Sequence, residues 1–100
     1  MAHVEIIAAT FVEAPAGVDA IFELGMQYSS GREVAIDMVS AHKWFNIAAA
    51  RGHQDAARLR REVAQQMTDS EIGLAQRAAR DWLKAHPEAP VKATEIRTAA

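Results

Sequence analysis

Residues 20–56 read Ala20-x3-Leu24-Gly25-x2-Tyr28-x2-Gly31-x2-Val34-x2-Asp37-x3-Ala41-x2-Trp44-x3-Ala48-Ala49-x2-Gly52-x3-Ala56. Small, large and glycine positions recur there at helix-turn-helix spacing, which predicts one helical hairpin. Its first helix spans about Val18 to Ser30. Val18, Ile21, Phe22, Gly25 and Ser29 form one stripe of it, with Leu24 and Tyr28 along a second edge. Asp19 lies in the first turn, where a carboxylate complements free N–H groups. Gly31 ends the helix in the left-handed conformation that glycine adopts without penalty. Asp37 is the N-cap expected for the second helix, Met38 to about Arg51, which aligns Ala41, Trp44, Phe45 and Ala48 and stops at Gly52. Gly25 costs about 1 kcal/mol relative to alanine in a helix interior. That cost predicts a close approach of the neighbouring helix, with Ala41 and Ala48 as the expected contacts.

Outward from the hairpin, a third helix of about 54–67 aligns Ala56, Leu59, Val63 and Met67. Thr68-Asp69-Ser70-Glu71 matches a capping box and starts a fourth helix to Ala85, whose inner stripe is Ile72, Ala75, Ala79, Trp82 and Leu83. Pro87 disfavours helix at His86 and stops it. Residues 1–17 form an N-terminal arm that reads either as extended or as a short amphipathic helix, ended by Pro15-Ala16-Gly17. Residues 87–100 carry little apolar content and read as a flexible tail. The expected fold is all-α, with about four helices paired as antiparallel hairpins.

One hundred residues, half of them apolar and 24% charged, suit a single soluble domain. There is no cysteine, so disulfide and thiolate chemistry are excluded. The N-terminus lacks a signal-peptide pattern, no window approaches the roughly 20 apolar residues of a membrane span, and a cytoplasmic location is expected. The net charge of −2 gives no global reason to expect nucleic acid. The charge is uneven, however. Residues 1–37 carry six acids against Arg32 alone, a balance of −5, while residues 38–100 carry ten bases against seven acids, a balance of +3. The two ends are able to attract, within one molecule or between copies.

The dozen positions Ala20, Leu24, Gly25, Tyr28, Gly31, Val34, Asp37, Ala41, Trp44, Ala48, Ala49 and Gly52 resemble the Sel1-like repeat, a relative of the tetratricopeptide repeat. One complete repeat occupies 20–55, and the helices at 54–67 and 69–85 look like the capping pair of a domain spanning 18–86. Where the family loop carries a second glycine and often a proline, this chain has Glu33 and Ala35. The resemblance implies a right-handed α-α superhelix used mainly as a protein-interaction scaffold, commonly in bacteria. It also implies that the first helix of the hairpin lines the surface where ligands dock. Secreted members linked to β-lactam binding are disulfide-rich, so that property is not carried over.

The chemistry-bearing residues favour the same class. Tyr28, Trp44, Phe45 and Trp82 fall on the stripes that burial requires. His3, His42, His53 and His86 have no metal-ligand spacing, and the serines lack nucleophile-elbow glycines. No metal, cofactor, catalytic residue or small-molecule substrate is expected. Glu23, Gln27 and Ser30 lie at i, i+4 and i+7 on the outer side of the first helix and are the candidate partner-binding residues. Arg77, Arg80 and Lys84 share one face of the fourth helix and form an alternative, RNA-binding surface. Asp55, Glu62 and Asp81, three or four residues from nearby bases, predict ordinary surface ion pairs instead, and no aromatic on that face offers base stacking. The expected function is a non-enzymatic adaptor or assembly subunit that binds another protein or itself, with nucleic acid the less favoured partner.

Overall fold

A computed structural model describes residues 17–88, and every regular element among them is a helix. The N-terminal arm up to residue 16 and the tail from residue 89 lie outside the described residues. Helix α1 is Val18–Ser30, α2 is Met38–Ala50, α3 is Ala56–Ala64 and α4 is Asp69–Ala85. The all-α reading with four helices therefore holds for the described residues.

The boundaries follow from local chemistry. Gly31 takes φ 78° and ψ 18°, and its N–H and that of Arg32 both donate to the Gln27 carbonyl, closing α1. Asp37 accepts from the Ser40 amide at 3.1 Å and starts α2. Gly52, at φ 97°, follows the last turn of α2, and His53 N–H returns to the Ala48 carbonyl. Thr68 accepts from the Glu71 amide while Glu71 Oε1 accepts from the Thr68 amide, so both halves of the capping box are formed.

Helix α3 is shorter than the sequence pattern suggests, running from Ala56 to Ala64 rather than 54–67. At its start Asp55 makes no side-chain cap. At its end Gln66 and Met67 bond to carbonyls only three residues back, a tighter turn that leads into the extended backbone of Thr68. The apolar spacing of Met67 survives this turn, since its side chain still packs on the core.

Helix α2 is the shared member of each extensive helix pair, packing on α1, α3 and α4. Tyr28 lies next to Asp37 and Phe22 next to His53, so α1 runs antiparallel to α2. Arg60 reaches Asn46 across an antiparallel α2–α3 pair, whereas Trp44 meets Trp82 and Arg51 meets His86, so α4 runs parallel to α2. Two core clusters sit on α2. Ile21, Ile47, Ala48, Ala56 and Ala79 form one, and Ala41, Phe45 and Val63 form the other. Of the expected Ala41–Trp44–Phe45–Ala48 face Trp44 is only partly buried, and because α2 is covered from three sides its buried set extends to His42 and Ile47.

The close approach at Gly25 exists, but its neighbour differs from the sequence reading. A Cβ at Gly25 would lie 2.5 Å from Cδ1 and Cε1 of Phe45, so the space is filled by an aromatic ring, not by the small residues Ala41 and Ala48.

Candidate interaction surface

Burial of Ile21 and Gly25 against α2 turns the opposite side of α1 to solvent, and Asp19, Glu23 and Ser30 are exposed there. The loop after Gly31 folds back onto this side. Arg32 Nη2 reaches Glu23 Oε1 at 2.9 Å, Gln27 Nε2 donates to Glu33 Oε1 at 3.4 Å, and the Arg32 amide donates to Ser30 Oγ at 3.3 Å. Ser30 Oγ in turn donates to the Gln27 carbonyl at 3.5 Å. Glu23, Gln27 and Ser30, which have no evident structural role in the sequence, thus each hold part of the loop. The pairs are exposed and contribute little stability singly. Their consequence is geometric: five polar side chains are held in one arrangement.

Glu33 is the unusual member. It adopts φ 68°, a left-handed conformation uncommon for a residue with a Cβ. The backbone at Glu33 thus adopts a glycine-like conformation without a glycine. Nearby, Ile36 is 60% exposed, and its side chain covers Gly31, where an added Cβ would meet Ile36 Cγ1 at 2.8 Å.

A hollow of about 530 Å³ opens beside this loop, lined by Tyr28, Ile36, Asp37, Met38, Gln66 and Glu71 among others. Its two carboxylates are already engaged as the caps of α2 and α4. The Asp37 carboxyl is held below its ordinary value of 3.8, first by the Ser40 amide and then by the Ser40 hydroxyl. A second hollow of about 440 Å³ lies between Val18, Asp19 and the turn at Arg51–Asp55. Its His53 ring stacks on Phe22 with centroids 3.9 Å apart and has Nε2 3.8 Å from Asp19.

Arg51, Arg58 and Arg60 are engaged by neighbouring groups. Arg58 pairs with Glu62 at 3.2 Å and with Asp55 at 4.0 Å, Arg60 donates to Asn46, and Arg51 bonds the His86 carbonyl, pairs with Glu88 and lies over the Trp82 ring. By contrast Arg77, Arg80 and Lys84 are exposed and form no ion pair among the described residues. Among the described residues Asp81 forms no ion pair; the Arg77 guanidinium instead lies back towards Gly73, 3.7 Å from where its Cβ would stand.

His42 is the buried polar residue that spacing alone does not distinguish. It is 3% exposed, its Nδ1 finds no hydrogen-bond partner, and burial followed by the nearby Arg60 charge holds it below the ordinary histidine value of 6.5. Among the described residues no three histidine or carboxylate side chains converge as a metal site, and no helix is long and apolar enough to cross a membrane. Comparison with known proteins gave no matching family model, no matching curated protein and no matching solved structure.

Proposed function

We propose that this chain is a non-enzymatic protein-interaction module, a small Sel1-like adaptor or assembly subunit acting in the cytoplasm through the outer face of α1. The observation that carries this reading is the loop-braced polar patch of Glu23, Gln27, Ser30, Arg32 and Glu33. Side chains already held in place lose less freedom on binding, which favours recognition by a protein surface. Glu33 supports the same reading. Left-handed backbone at a non-glycine residue costs of order 1–3 kcal/mol and tends to be kept where the side chain has a use. Glycine at 33 would remove the strain, and with it a carboxylate that projects from the patch.

The test is affinity capture from a cell extract with quantitative mass spectrometry. Replacing Glu23, Gln27 and Ser30 together by alanine is expected to keep helical content while lowering recovery of the captured protein at least about ten-fold, a loss of about 1.4 kcal/mol. An Arg77→Ala/Arg80→Ala variant is the comparison. Loss of capture with the arginine variant alone, accompanied by a flattened salt dependence, would favour the RNA reading and move the surface to α4.

A further inference from the structure

We infer that the partner met by the α1 face is a second copy of this chain, docked through the basic face of its α4. This rests on the interaction reading above and names the partner for it. Asp19 and Glu23 lie four residues apart on α1, so they share one exposed side, and Glu33 extends that side through the loop. With Arg32 among them, the three acids leave a local charge of −2. On α4, Arg77, Arg80 and Lys84 recur at i, i+3 and i+7 and give +3, or +2 with neighbouring Asp81. Ala75 and Ala79 are buried, which turns the basic face outward. Leu74, one turn before Arg77, is 52% exposed and adds an apolar contact to its edge.

The two faces do not neutralise each other within one molecule. Helices α1 and α4 each pack mainly on α2, and among the described residues no ion pair joins α1 or its loop to α4. Among the described residues the acidic side finds partners on its own side of the molecule, Arg32 for Glu23, Gln27 for Glu33 and His53 for Asp19. The basic side finds none among the described residues. Opposite charges of similar size on two separate, outward-facing helices complement each other between copies. Such a contact is head-to-tail: every copy keeps one free acidic and one free basic face, so the series extends into an open chain or closes as a ring. It also places α4 of one copy on α1 of the next, a helix-on-helix contact of the kind stacked helical repeats make. Nucleic acid on the α4 face is the competing occupant. The acidic α1 face has no use in that case, and no aromatic side chain accompanies the arginines.

Sedimentation of the purified full chain, free of absorbance at 260 nm, tests this. At about 50 mM salt the mass should grow with concentration beyond a dimer, and it should return to monomer at about 0.5 M, where charges are screened within a few ångströms. Glu23→Lys/Glu33→Lys and Arg77→Glu/Arg80→Glu should each sediment mainly as monomers with unchanged circular dichroism. Mixed one to one, they should associate again, because the acidic α1 face of one variant meets the basic α4 face of the other. A wild-type chain that stays monomeric at low salt overturns the inference, as does a mixture that fails to associate or a mass that disappears with nuclease. If the wild type is monomeric and the triple alanine variant still loses a captured protein, self-docking falls while the interaction reading stands. If capture is also unchanged, both fall.

Discussion

The ring of Phe45 occupies the space that a side chain on Gly25 would need. Phe45 is fully buried and its ring centroid lies 5.5 Å from that of Phe22, so it has little room to give way. Gly25→Leu is therefore expected to cost at least about 3 kcal/mol, the upper end of overpacking, even after the roughly 1 kcal/mol that leucine returns in helix propensity. Adding Phe45→Ala to Gly25→Leu should recover part of that loss in a double-mutant cycle read by denaturant unfolding. Strict additivity of the two changes would mean that the ring is not the obstacle.

At Glu33 the expectation runs the other way. Glu33→Gly relieves a left-handed strain of about 1–2 kcal/mol and adds back roughly 0.5–1 kcal/mol of unfolded-chain entropy. The net result should be a gain of up to about 1.5 kcal/mol in thermal or chemical unfolding, together with weaker partner binding. A variant that is both less stable and equally active in binding would show that the residue is kept for folding.

The capping box of α4 gives a local prediction. Thr68→Ala should cost about 0.5–2 kcal/mol and speed amide exchange at residues 70–73, leaving exchange in α1 unchanged. Exchange that accelerates equally throughout would mean that α4 does not open independently of the first hairpin.

His42 sets the sign of a pH dependence. Its folded-state value lies below 6.5, so in acid the unfolded chain takes up a proton that the folded chain resists. Its contribution is complete above pH 6.5 and is lost as the pH falls towards the depressed folded value. Unfolding free energies measured across this window should decline with acid, and His42→Leu should flatten that decline. An identical slope in the variant would assign the effect to other groups.

Much of the fold was legible because its boundaries are set by residues that act locally. Gly31, Asp37 and Thr68 mark helix ends through bonds to backbone within five residues, and α1 ends, and α2 and α4 begin, where these signals put them. The end of α3 was not legible, since apolar spacing continues to Met67 through a turn that is no longer helical. The filling of Gly25 by Phe45 depends on how two helices cross, and a residue list does not contain that angle. The burial of His42 was not legible, because a single-face pattern does not foresee a helix packed on three sides. The polar patch was seen in part: Glu23, Gln27 and Ser30 stand out by spacing, while Arg32 and Glu33 join them only through the path of the loop. That Arg77 and Asp81 do not pair was equally hidden, because i,i+4 spacing permits an ion pair without requiring one.

The most direct test of the central claim is chemical-shift mapping of the isotope-labelled chain, comparing dilute with concentrated protein at low salt and then adding a captured partner. Perturbed amides are expected to cluster within 19–33, with a second cluster within 74–84 when the partner is another copy. Shifts confined to α3, or to α4 without any change in 19–33, would contradict the account.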